Sequence, residues 1–234
     1  MYSLQEQKAA ITIQDFFDCV RLVNHYVYEA TLSKSPISWL INLFDLRFAC
    51  MKAVAAAKFS VVADIEDNDR EKILLDKLSA LAASKGIENR EGIKHLFEQN
   101  MSLSKDIQFG YYIRIWDRRR DPQVLLNSAY RQLYNLITAK ELPIDCNEPH
   151  DHHTSSEVLS LADNIINDVD EQIIDILSGY CDEMLDVTSD HLIDVFKQML
   201  ANYMTPSMLR ENESTIVEMS RDMKEVSYRQ TMRL

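Results

Sequence analysis

The sequence predicts an all-α protein. Glycine and proline are sparse, 4 and 5 among 234 residues, while 46% of the chain is apolar, so tight turns have few places to form. Apolar residues recur at three- and four-residue spacings over long stretches, and strand-like alternation is scarce. A chain of this length holds one large domain, or one domain with an appendage.

The elements follow in order. Ile13, Phe16, Val20, Val23 and Val27 share one face of an expected first helix over about Ile13 to Ala30, and Ser35-Pro36 interrupts it. A long helix is expected from about Ile37 to Lys58, with Leu40, Phe44, Met51 and Val54 on its apolar side. Asp67 opens the next, running from Arg70 to about Lys85 with Gly86 as its C-cap. Residues 90–116 form a third, with Leu96, Phe97, Met101, Ile107 and Tyr111 as its stripe, and roughly 122–140 form a fourth. The run Leu142 to Thr154 breaks the pattern and reads as a linker. Ser155 or Ser156 is placed to cap a new helix that buries Val158, Leu161, Ile165, Val169, Ile173 and Ile176. Leu192 to Tyr203 forms another, ended before Pro206, and the charged, Met-rich tail from Met208 is read as frayed. The implied division is 1–36 as an N-terminal helix, 37–143 as a helical domain, 144–154 as a linker and 155–234 as an acidic helical region.

Charge and cysteine usage exclude several classes. The formal net charge is −12, with −1 on residues 1–150 and −11 on 151–234. Such an acidic chain is a poor nucleic-acid binder. An anionic ligand would have to be drawn by a local cationic pocket. Cysteines at 19, 50, 146 and 181 lack CxxC spacing, which argues against a metal knuckle. Cys50 sits on an apolar helical stretch and reads as a buried thiol. No apolar run is long enough to span a bilayer. The start MYSLQEQKAA lacks the basic and apolar regions of a signal peptide, so the chain as written is expected in the cytoplasm; removal of an export signal would make it periplasmic or secreted. His150, His152 and His153 beside Asp151 look like metal ligands, but adjacent histidines in a polar run read first as a solvated loop.

The informative positions are polar residues in helical register. Arg47 and Lys58 are eleven residues apart, close to three turns at about 3.6 residues per turn, so one long helix directs both cations the same way. A cation on a helix is most often a solvated or snorkelling side chain. Here the apolar neighbours favour a site for an anion. Asp67 to Glu71 reads D-x-x-R-E around Arg70, an arrangement that also suits a simple helix start. Ser104 and Gln108 lie one turn apart on a later helix.

From Leu43 to Trp116, with a looser match to about residue 140, the text resembles the all-α chorismate mutases, in particular the single-chain, often exported subclass. The resemblance implies a helical bundle of chorismate mutase type with additional C-terminal helices. It also implies the rearrangement of chorismate to prephenate, an isomerase reaction needing no cofactor, metal or nucleophile, and a homodimer. In that family a helical Arg binds a substrate carboxylate, and Arg47 stands there. A Lys eleven residues later contacts the breaking ether bond, which falls on Lys58. The acids Asp67 and Glu71 would hold the substrate hydroxyl, with Arg70 at the pocket wall or on a carboxylate. Ser104 would contact a carboxylate, and Gln108 the ether oxygen. The required barrier reduction is on the order of 8 kcal/mol. The family uses a further Arg for the second carboxylate. Upstream, its position falls on Ala30; downstream, one register gives Asn127 and another Arg131, with Arg118 to Arg120 as other donors. Arg131 is the residue we assign. Two alternatives share the fold: a lyase acting on isochorismate, and a non-catalytic binding or regulatory protein. A second dehydratase or dehydrogenase half is disfavoured, because residues 150–234 are too few and lack a glycine-rich dinucleotide loop.

Overall fold

The computed structural model describes residues 36–118, 120–150, 152–179 and 187–231. All the regular structure among them is helical: α1 Pro36–Ser60, α2 Asn68–Ser84, α3 Arg90–Arg118, α4 Pro122–Lys140, α5 Ser155–Gly179, α6 Ser189–Leu200, α7 Pro206–Glu211 and α8 Glu213–Thr231. The expected helix over 13–30 lies outside the described residues.

Helix α1 is the axis of the fold. Pro36 begins it, where a missing N–H is harmless. The run Ala53 and Ala55 to Ala57 lets neighbouring helices approach closely. Its burial is wider than the single expected stripe: Leu46, Phe48, Ala49 and Cys50 are shielded as well as Leu40 and Phe44. Helices α3, α4, α5 and α6 all pack against it. After Ser60 the chain turns sharply through Val62, whose φ of 56° is strained for a β-branched residue. That turn brings the Asp67 element back beside the end of α1.

Local signals set the other helix ends. Asp67 accepts the N–H of Arg70 at 3.1 Å and caps α2. Gly86, with φ 83°, stops that helix, while the Ile87 N–H donates to the Ala82 carbonyl. Asp121 caps α4 through the Gln123 N–H at 2.8 Å, with Pro122 at the first helical position. At α5 the cap is neither of the expected serines. Thr154 Oγ1 accepts the Glu157 N–H, and the Glu157 carboxylate accepts the Thr154 N–H at 2.6 Å. This reciprocal pair is a capping box one residue earlier than expected.

The C-terminal elements belong to the same core. All six residues of the expected α5 stripe are buried, and α5 lies along α1, α2 and α4. The tail read as frayed instead forms α8, which packs on α3 and α6 and buries Ile216, Met219, Met223 and Val226. Its methionines fill gaps between those helices. Tyr203 anchors this layer to α1: its hydroxyl donates to the Asp45 carboxylate at 2.6 Å, and its ring lies 6.3 Å from Phe48. Phe44 meets Phe196 edge-on at 5.6 Å. The described residues of 155–231 are therefore distinct in charge but contiguous in packing with the rest. No helix among the described residues is long and apolar enough to cross a membrane.

Candidate functional site

The parallel register of α1 and α3 faces Arg47 with Ser104 and Met51 with Gln108. Arg47 is 3% exposed; its Nη1 donates to Ser104 Oγ at 2.9 Å. Ser104 in turn donates to the Asn100 carbonyl at 2.8 Å. The Gln108 amide nitrogen contacts Met51 Sδ at 3.5 Å and the Ser104 carbonyl at 3.3 Å, while its carbonyl oxygen is buried with no hydrogen-bond partner. The expected inward direction of Arg47, Ser104 and Gln108 is thus what the helices produce.

The partner of Arg47 was not foreseen. Its Nε donates to Asp170 Oδ1 of α5 at 2.8 Å, and Asp170 is 1% exposed. Burial pushes the Asp170 carboxyl up, and the adjacent guanidinium pulls against that shift. Its second oxygen, Oδ2, has no hydrogen-bond partner. A charge so deeply buried is tolerated because the opposite charge is in contact.

A second group of charges lies where α1 ends against α2. Lys58 is partly buried and donates to the Ile65 carbonyl at 2.7 Å. Burial lowers its pKa and Arg70 adds to that, against the opposing pull of Asp67, Glu71 and Asp163. Glu71 is paired with Lys105 of α3 at 3.1 Å. Arg70, on the rim, is paired with Asp163 of α5. Asp67 is exposed and serves as the α2 cap. The capping and ligand-binding readings of this acid are compatible, because its side chain stays at the rim of the same charge group.

The cation assigned to the second carboxylate stands elsewhere. Arg131 is exposed on α4, where its charge acts on His153. The neighbouring Gln132 is the α4 residue that reaches α1, donating to the Ala49 carbonyl at 3.0 Å. Asn127, the residue of the other register, accepts from Gln123 and from the His153 N–H. Arg118 is exposed at the end of α3, and Arg120 follows it in the connection to α4. The helical register that recommended Arg131 gave the phase of α4 but not its rotation against α1.

Sequence reading missed Asn100, Asp163 and Asp170. Asn100 completes an i, i+4, i+8 polar line with Ser104 and Gln108 along a buried face, a signal that was present. Neither atom of its side-chain amide has a partner. Asp163 and Asp170 carry no such mark, since α5 is acidic throughout. Cys50 is fully shielded, and burial pushes its thiol up to about 12, which leaves it inert at neutral pH. His150, His153 and Glu157 bring ligand atoms within 4.8 Å of one another. Those side chains are engaged internally: His153 accepts the His150 N–H at 3.0 Å, and Glu157 caps α5. The loop is therefore packed at His153, which stacks on Tyr130 at 3.6 Å.

Residues 38–109 match the family model of chorismate mutase type II. The match covers α1 to α3 as far as Phe109, so Arg47, Lys58, Arg70, Glu71, Ser104 and Gln108 fall inside it and Asp163 and Asp170 outside. Comparison with curated proteins and with solved structures gave no match.

Proposed function

We propose that this domain is a chorismate mutase, converting chorismate to prephenate by holding a flexible dianion in its compact form. The observation that carries the proposal is the meeting of Arg47, Ser104 and Gln108 between α1 and α3, with Lys58 further along α1 and Glu71 of α2 paired to Lys105 of α3. The reaction is a one-substrate pericyclic rearrangement. The chain's work is positioning and charge stabilisation. Arg47 and Ser104 take one carboxylate, a contact a guanidinium makes with two parallel donors. Lys58 and the Gln108 amide donate to the ether oxygen as negative charge grows on it, so their contribution is largest in the transition state. Glu71, with Asp67 at the rim, accepts from the ring hydroxyl, and Arg70, released from Asp163, takes the second carboxylate.

The test is loss of chorismate absorbance with the full chain, run in parallel with isochorismate. Turnover of chorismate to prephenate supports the proposal; pyruvate release from isochorismate alone would move the chain to lyase chemistry. A homodimer is part of the proposal. Phe109, Ile113 and Trp116 are exposed at helical spacing on α3, an apolar stripe that a second copy would cover. Light scattering giving only a monomer mass rejects that part.

A second reading rests on one contact. Asp170 already neutralises Arg47, and Arg131 stands away from it. A helical binding or regulatory protein that has kept the bundle and abandoned the reaction would have this arrangement. Absence of both turnover and chorismate binding in the wild-type chain and in the variants described below selects it.

A further inference from the structure

Helix α5 lays three polar residues along one face toward the matched domain. Asp163, Asn167 and Asp170 are spaced i, i+4 and i+7. They meet Arg70, Lys77 and Arg47 in turn. The two acids thus engage two cations of the candidate site, and both come from a helix outside the family match. The deeper contact has the geometry of a bound carboxylate: one oxygen on Arg47 Nε at 2.8 Å, beside the Ser104 hydroxyl that takes Nη1.

The fit is good in charge and poor in hydrogen bonding. Asp170 Oδ2, both polar atoms of the Asn100 amide and Gln108 Oε1 are buried without partners. Buried polar atoms are paired in the great majority of cases. Four orphans on residues flanking the Arg47 contact mark a place whose polar groups are arranged for more than one aspartate. From this we infer that Asp170 is an internal carboxylate ligand: it fills the anion site of Arg47, and an external carboxylate binds only after displacing it. The inference rests on the proposed function for the identity of the external ligand, but not for the existence of the anion site.

Displacing an internal ligand lowers apparent affinity by the fraction of molecules in which the site is open. Asp170→Asn keeps the shape and an acceptor for Arg47 but removes the competing charge. Asp170→Ala vacates the place. Asp175→Asn, at the exposed Lys85 pair on the same helix, is the control for general loosening of α5.

The experiment uses the full chain, with folding checked by circular dichroism. Sodium formate should raise the melting temperature of Asp170→Ala beyond the effect of sodium chloride at equal ionic strength. It should do nothing comparable for wild type or Asp175→Asn. In calorimetry, chorismate should bind Asp170→Asn at least about tenfold tighter than wild type. Formate stabilisation with chorismate binding to neither protein keeps the internal ligand and removes the chorismate reading. Wild type that binds chorismate as tightly as folded Asp170→Asn overturns the inference while leaving that reading intact. Formate acting no differently from chloride on Asp170→Ala also overturns it; if that variant does not fold, the Asp170→Asn calorimetry decides alone.

Discussion

Replacing Arg47 by methionine removes a charge of similar reach from the centre of the bundle, and the structure sets the size of the effect. The substitution deletes the 2.8 Å bond to Asp170 and the 2.9 Å bond to Ser104. It leaves the Asp170 carboxylate 1% exposed, with one oxygen that already lacked a partner and a second that now does. Breaking a buried pair from one side costs about 3–5 kcal/mol. At roughly 2–4 °C per kcal/mol for a chain of this size, the melting temperature should fall by about 6–20 °C. Asp170→Leu alone strands Arg47 and should cost a similar amount. The double variant strands nothing, and apolar replacement of such pairs is commonly neutral or better, so it should lie within about 1 kcal/mol of wild type. The deficit of Arg47→Met also has a pH sign. Burial raises the Asp170 pKa in the folded state and the Arg47 guanidinium opposes that rise, so without Arg47 the folded form holds that proton more tightly than wild type does. The deficit should therefore shrink as pH falls through the window above the ordinary Asp value and be largest at neutral pH. Urea unfolding followed by circular dichroism measures all three proteins, with the slope checked for two-state behaviour. A single variant losing less than about 1 kcal/mol, or a double variant losing the sum of the two, would refute the account.

Lys58→Ala should lower turnover of chorismate by on the order of 10²-fold or more, with a smaller change in apparent affinity, while Lys85→Ala at the exposed Asp175 pair leaves rates unchanged; equal rates in both variants would remove Lys58 from the reaction. Gln108→Glu should move activity toward acid, because a carboxyl donates to the ether oxygen only when protonated and its burial beside Met51 raises that pKa; an unchanged pH profile measured by chorismate loss would show that residue 108 does not face the breaking bond. Arg131→Ala should leave the Michaelis constant for chorismate unaltered, as befits an exposed side chain beside His153, and a large rise would restore it to the site. His153 should make the fold acid-sensitive. Burial first, and His150 next, lower its pKa, so the unfolded chain takes the proton more readily and stability falls as pH drops through the region below about 6.5. Its Nε2 accepts the His150 N–H, a bond protonation destroys, and His153→Phe should flatten the melting temperature between pH 7.5 and 5.

Helix existence and phase were legible because they are local properties. Apolar spacing placed α1 to α5 nearly to the residue, and Asp67 and Gly86 marked ends through backbone chemistry that needs no tertiary partner. The same logic singled out Arg47, a cation among apolar neighbours in one helix, whereas Ser104 and Gln108 gained their meaning from the resemblance to the family. It failed for the tail, where Met219 and Met223 look polar in company yet are fully buried, and for the cap at Thr154, where two serines competed for the role.

The sequence by itself determined an all-α chain with a chorismate-mutase-type segment and the inward direction of Arg47 and Gln108. Only the tertiary structure decided what those groups meet. Rotation of α4 about its own axis left Arg131 in solvent, and the lie of α5 across α1 set Asp170 on Arg47. The Arg47 and Asp170 contact joins residues 123 positions apart. Helical periodicity fixes which residues share a face within a few turns. Which faces of distant helices meet is settled by packing the whole core at once, and a single charge in an acidic helix leaves no local trace of that choice.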